Sequence, residues 1–300
     1  MTQWIDTHVH LFTEATKGEA PALIDGKVNT TEHYLQSFGD NTPAGVVVVD
    51  YSKASSSAHV VATVDELVKR GIPTKGIIRA NLADENTWEW LRHPHIAGAR
   101  LYALADVPDL SANKAGYDKL FSELCTRKQH LCLFGKPANL RALIKQIPDD
   151  LTLLIDHLGM PDALQGTNQH DYNQLLADCA ARHKSAGAVY FKGPGYRTSF
   201  DPARTAPFLQ LIIEKLGDTQ LMLGASDAPF AGPVMEASAP YAGKNNTDFV
   251  SYQTILPWLN ILVEKLAPSQ KKSVEMLQMQ LLYSNAHKLY GFEKKASKAA

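Results

Sequence analysis

The chain has 300 residues, 45% of them hydrophobic and 20% charged, and a formal net charge of -1 from 30 basic and 31 acidic side chains. That balance describes a soluble globular chain with an ample core and gives no electrostatic footing for nucleic acid or an anionic membrane, so the expected partner is a small molecule. Three cysteines, Cys125, Cys132 and Cys179, without a Cys-x-x-Cys pair speak against a disulfide framework and for a cytoplasmic protein.

No basic segment followed by an apolar run opens the sequence, and no apolar run approaches the roughly 18 residues needed to cross a bilayer. In chain order, the first apolar segment, 3–10, ends in Ile5-Asp6-Thr7-His8-Val9-His10. Alternate residues of a strand share a face, so His8 and His10 are expected to project together from its end. Two imidazoles aimed at one point can hold a metal ion or polarise a carbonyl. Seven more short apolar runs follow at 45–52, 75–81, 96–102, 130–135, 151–157, 188–193 and 219–227. Some, such as Val46-Val47-Val48-Val49, are unbroken, as parallel strands covered on both faces require.

Between the runs, 60–70, 117–128, 172–184 and 206–215 repeat apolar residues at helical spacing, and two further helical segments, 252–266 and 270–290, follow the last strand. Eight strands at intervals of about 35 residues predict a (β/α)8 barrel, a single domain over 1–300 with a frayed tail from 293. The rival doubly wound sheet lacks its Gly-x-Gly-x-x-Gly turn after the first strand. Two long connections, 12–32 and 230–248, follow strand ends and are expected to cover the site.

Polar residues cluster at these strand ends: His8 and His10, Ser52, Arg100 and Tyr102, His157, and Asp227. In a barrel they would converge on one mouth, with the first and last strands as neighbours. His93-Pro94-His95 repeats the His-x-His spacing but precedes the fourth strand, at the opposite end, and reads as a decoy. Asp6 and Asp156 are read as structural, with Asp156 pointing away from its neighbour His157.

Ile5-Asp6-Thr7-His8-Val9-His10, Leu154-Ile155-Asp156-His157-Leu158-Gly159-Met160-Pro161, Gly224-Ala225-Ser226-Asp227-Ala228-Pro229 and Ser284-Asn285-Ala286-His287-Lys288-Leu289-Tyr290-Gly291 together resemble the amidohydrolase superfamily. Within it the chain is most similar to the 2-pyrone-4,6-dicarboxylate lactonase and sugar-acid lactonase branch. The resemblance implies hydrolysis of a small anionic lactone, with Asp227 as general base and His8, His10 and His157 polarising the carbonyl. Arg100 and Ser52 match positions that grip the substrate in that branch. A second carboxylate-binding arginine is replaced here by Met160, which argues against a dicarboxylate. Lys192, Tyr196 and Arg197, after the seventh strand, and Tyr102 are candidates for substrate contacts.

The fourth strand ends Gly98-Ala99-Arg100-Leu101-Tyr102 and the fifth Leu131-Cys132-Leu133-Phe134-Gly135, so the bridging ligand and extra histidine of two-metal members are missing. His8, His10 and Asp227 would then hold at most one divalent ion, zinc foremost, and the branch includes enzymes that need no cofactor. The alternatives are a zinc-dependent decarboxylase of the same superfamily and a non-catalytic barrel that binds a sugar acid.

Overall fold

The computed structural model describes residues 3–19, 29–185, 187–230 and 232–292. Part of the first long connection, 20–28, and the tail expected to fray from 293 lie outside the described residues. Eight strands run parallel in consecutive order: β1 (Asp6–Val9), β2 (Val46–Val49), β3 (Thr74–Arg79), β4 (Ile96–Ala103), β5 (His130–Gly135), β6 (Leu153–Ile155), β7 (Val189–Lys192) and β8 (Leu221–Met222). The sheet closes where the chain beyond β8 runs along β1. Thr7 N–H donates to the Gly224 carbonyl at 2.7 Å, Asp227 N–H to His8 at 2.7 Å, and His10 N–H to Ala228 at 2.9 Å. A Cβ on Gly224 would lie 2.4 Å from the Ile5 carbonyl oxygen, so only glycine lets this seam close. The expected (β/α)8 barrel is the observed architecture.

Helices α1 (Thr31–Ser37), α2 (Ala58–Lys69), α3 (Thr87–Arg92), α4 (Lys114–Thr126), α5 (Pro137–Ile144), α6 (His170–Ser185) and α7 (Pro202–Leu216) connect successive strands. Helix α8 (Ile255–Gln270) stops at Lys271, which turns left-handed at φ 52°, and Ser273 then caps α9 (Val274–Gln278). The single helix expected over 270–290 is therefore two, α9 and α10 (Asn285–Tyr290), joined by a π-helical turn. No helix among the described residues is long and apolar enough to cross a membrane. The three cysteines are free.

Strand alternation divides the apolar side chains into two cores. Val46, Val48, Leu131, Leu133, Leu153 and Ile155 face the helices. Ile5, Val47, Val49, Cys132, Leu154 and Met222 fill the barrel, which Tyr290 and Phe292 from the chain end plug at the bottom. His93-Pro94-His95 lies between α3 and β4, away from the mouth, as expected for that motif, and His93 Nε2 sits 3.0 Å from Asp65.

Three titratable side chains are locked inside this frame. Burial pushes His130, beside Tyr290, down to about 3 and His59, stacked on Phe12, down to about 4. It pushes Asp6 up to about 6, against hydrogen bonds from Ser226 and Tyr34 that hold it down. Each buried histidine contributes stability that is complete above its ordinary value of 6.5 and is lost as pH falls toward the folded value. Asp6 acts oppositely, its contribution being lost as pH rises from 3.8 through about 6. His157, lowered to about 4, and His8 act in the same sense as His130 and His59, so between pH 4 and 6 the unfolded chain binds more protons on these histidines than the folded chain does, which outweighs the opposite contributions of Asp6 and the raised Asp50, and stability rises with pH. Urea denaturation at pH 4.5 and 6.0 measures this, and an equal or lower midpoint at pH 6.0 contradicts it.

Candidate functional site

The first strand is bent to serve the mouth. Asp6 pairs with Val46 but Val9 with Val48, so β1 holds one extra residue against β2. This bulge reverses the alternation begun at Ile5: Val9 packs toward the helices, and His8 and His10 turn inward, rings 5.1 Å apart. Asp6, read as structural, lies behind them. Its carboxylate accepts from the Ser226 hydroxyl at 2.6 Å, the Ser226 N–H at 2.8 Å and the Tyr34 hydroxyl at 2.8 Å, tying β1 to the segment that carries Asp227.

Asp227 stands in the left-handed region at φ 53°, a conformation that costs a non-glycine residue about 1–3 kcal/mol and is common where side chains are aimed at a site. Its Oδ1 lies 3.6 Å from His8 Nε2 and 3.6 Å from His10 Nε2. Its Oδ2 is held by Arg197, whose Nε is 2.5 Å away. Burial alone would raise this carboxyl; the Arg197 charge, with His157 and His10 beside it, instead drives it far below the usual carboxylate range.

His157 reaches the mouth by a turn of the chain. Strand β6 ends at Ile155, and His157, Leu158 and Met160 take φ of 51°, 57° and 54°. The turn sets the His157 ring 4.9 Å from His8 and 4.8 Å from Phe134. Burial lowers its pKa to about 4, so it is neutral at pH 7.

The same turn overturns the expectation for Asp156. Leu154 faces the barrel interior, and two residues on Asp156 does too; it is His157 that leaves the strand's phase. Asp156 Oδ2 is 2.8 Å from Arg100 Nε, and Oδ1 is 3.5 Å from Lys192 Nζ and 3.7 Å from His8 Nδ1. Burial opposes the charge on Asp156, but Arg100 and Lys192 override it and hold the carboxyl below its ordinary value.

A cavity of about 160 Å³ opens above this layer, with His10, Arg100, His157, Met160, Arg197 and Asp227 on its walls. Ser52 and Tyr102 also line it, the Tyr102 hydroxyl donating to the Asp50 carbonyl at 3.1 Å. Arg100 lines the cavity between Tyr102 and Phe134 while its Nε serves Asp156. Three other candidates do not line it. His8 is wholly buried beneath His10 and Asp227, and Lys192 donates to the Thr7 carbonyl at 2.9 Å below the floor. The Tyr196 hydroxyl is bonded to the Ser226 carbonyl at 3.1 Å. Tyr51, Phe134 and Met235 are wall residues that sequence reasoning missed. Phe134 shares the inward phase of Cys132, which could have revealed it; Met235 sits in a loop and carries no such signal.

His8, His10 and Asp227 each offer a ligand atom within 4.8 Å of the others. His10 Nδ1 lies 2.8 Å from the Val49 carbonyl, which can only accept, so the neutral ring carries its proton there and presents a lone pair at Nε2. Both nitrogens of buried His8 lack a hydrogen-bond partner among the described residues. An outward lone pair, an orphaned imidazole and a carboxylate oxygen 3.6 Å from each fit one divalent ion, whose ligand atoms stand about 3.3 Å apart at bond lengths of ~2 Å. The same tautomer argues against His10 as a hydrogen-bond donor to a carbonyl.

No curated protein matches the chain. Solved structures resemble it in fold. One from Acinetobacter baumannii with citric acid bound and one from Pseudomonas putida are both provisionally assigned as 2-pyrone-4,6-dicarboxylic acid hydrolases. They are 19% and 21% identical, cover 97% and 98% of this chain and 100% of their own, and give TM-scores of 0.71 and 0.72. An amidohydrolase from Burkholderia multivorans with bound zinc is 16% identical over 97% of this chain and 100% of its own, with a TM-score of 0.70. The family model described as amidohydrolase matches residues 5–292, nearly the whole barrel with its inward histidine pair and Asp227, and the chain belongs to that family.

Proposed function

We propose that this amidohydrolase opens the ring ester of a small carboxylated or sugar-acid lactone in the cytoplasm. The observation that carries the reading is the division of labour at Asp227: Arg197 holds one carboxylate oxygen, while the other faces the imidazoles at the cavity floor. Water attacks the ring carbonyl carbon and gives its proton to Asp227. The oxyanion formed is met by the neutral His157 imidazole and the Arg197 guanidinium. The ring carbon–oxygen bond then breaks, and Asp227 returns the proton to the departing oxygen, leaving a hydroxy acid. His8 acts from below the floor and not as a direct donor.

His8, His10 and Asp227 would hold a divalent ion, which when bound supplies Lewis acidity at the carbonyl or the attacking water. Arg100 on the wall suits a substrate carboxylate, in keeping with the citric acid bound by the A. baumannii relative. Three free cysteines agree with a reducing compartment.

A pH-indicator screen over aldono-, urono- and dicarboxylic-acid lactones tests the reaction. Asp227→Asn is expected to lower kcat by about 100-fold or more; unchanged hydrolysis would remove Asp227 as base, and carbon dioxide release in place of ring opening would point to a decarboxylase. Arg197→Gln removes the cation that depresses the Asp227 pKa, so the acidic limb of the kcat/KM profile should move to higher pH by about one unit or more. A limb that stays in place shows that Arg197 does not set that pKa. Calorimetric titration of metal-stripped protein with zinc should find one site, weakened at least about tenfold by His10→Ala; equal affinity in the variant argues against the ligand set.

A further inference from the structure

Beside the catalytic cavity lies a second hollow of about 610 Å³, against about 160 Å³ for the first. Met160 and Met235 line both. Its walls come from the segments after β5, β6, β7 and β8, the same rim that forms the catalytic mouth. The wall segment at Met235 is pinned: the next residue, Glu236, is buried and bonded to the Ser199 hydroxyl at 2.8 Å and to Arg204 at 2.8 Å. Thr198, next to Ser199, is 4% exposed, and its hydroxyl oxygen is buried without a hydrogen-bond partner among the described residues.

We propose that this hollow is a second subsite, taking a neutral hydroxylated substituent, such as a glycosyl group, that extends from the lactone ring between Met160 and Met235. The inference rests on the lactone reading of the inner cavity. The wall chemistry selects the class. Pro137 and Ala163 share the walls with the unpartnered Thr198 hydroxyl and with the polar turn of Asp162 and Gln169, whose side chains are bonded within that turn, so apolar faces sit among hydrogen-bonding groups, the pattern a sugar ring presents with its C–H faces and hydroxyl edges. The charges on the walls are mixed: Lys136 shares them with Asp162, Asp171 is 3.8 Å from Arg141, and Glu236 is paired with Arg204. A polyanion would meet those carboxylates, and an alkyl chain would strip water from the polar groups without replacing its hydrogen bonds. Unbranched thioethers supply the passage, because a methionine side chain repacks around a bound group with little cost.

The test compares a hexono-lactone with the same lactone carrying an O-linked hexose, on the wild type, Ala163→Trp, which fills the hollow, and Thr198→Val, a milder change. The wild type should favour the glycosylated lactone by about tenfold or more in kcat/KM, and Ala163→Trp should abolish that preference. Thr198→Val should reduce it by about threefold or more. Equal kcat/KM for the two lactones, or a preference untouched by both variants, overturns the subsite. Calorimetric binding of the two corresponding open-chain acids keeps the two proposals apart. If neither lactone is hydrolysed, the reaction assignment fails, yet a glycosylated acid that binds the wild type about tenfold tighter than the plain acid and loses this in Ala163→Trp still supports the subsite. Equal binding of both acids overturns it.

Discussion

One buried carboxylate organises the barrel beneath the mouth. Asp156 has no exposed surface, yet Arg100 and Lys192 approach it at 2.8 and 3.5 Å and keep it ionised. Lys192 in turn donates to the Thr7 carbonyl, and His8 stands over the same carboxylate. Three strands, β4, β7 and the bulged β1, are thus tied to the end of β6 by charge. Such an arrangement stabilises only while complete: removing one partner leaves an uncompensated charge in low dielectric, at a cost of about 3–5 kcal/mol. The layer above inherits that rigidity, because His8 and the Arg100 guanidinium can move only by breaking it.

The mouth itself is held by backbone torsion as much as by charge. His157, Met160 and Asp227 all sit at positive φ, and each lies where a strand hands over to a loop. The closing bonds between the β8 extension and β1 run through the residues that frame the site, Asp227 to His8 and His10 to Ala228. Barrel closure and site assembly are therefore one event. Asp6 reinforces this from behind by binding Ser226 through both backbone and side chain.

Arg197 changes the character of Asp227. A carboxylate facing only the imidazoles of His8 and His10 would be a stronger base; paired with a guanidinium, it remains ionised throughout the neutral range but takes up a proton less readily. That trade suits a role in which the carboxylate orients a water or holds an ion as well as moving a proton. His10, its proton committed to Val49, contributes the lone pair such an arrangement needs.

The sequence by itself determined the eightfold alternation of apolar runs and helices, hence the barrel, because hydrophobic periodicity is a local property that every element reports independently. It also determined that His8, His10, Arg100, Tyr102, His157 and Asp227 stand at one end of it, since strand ends map to the mouth. What it could not contain was direction and pairing. Simple alternation points Asp156 away from the site, but the strand stops at Ile155 and left-handed residues invert the phase. Arg197, in the turn after β7, meets Asp227 only because β7 and the β8 extension are neighbours around the barrel, while Tyr196 beside it turns to Ser226. Phase reversal at a bulge or turn, and the partner each charge finds across the barrel, depend on contacts between residues far apart in the chain, and those exist only once the sheet has closed.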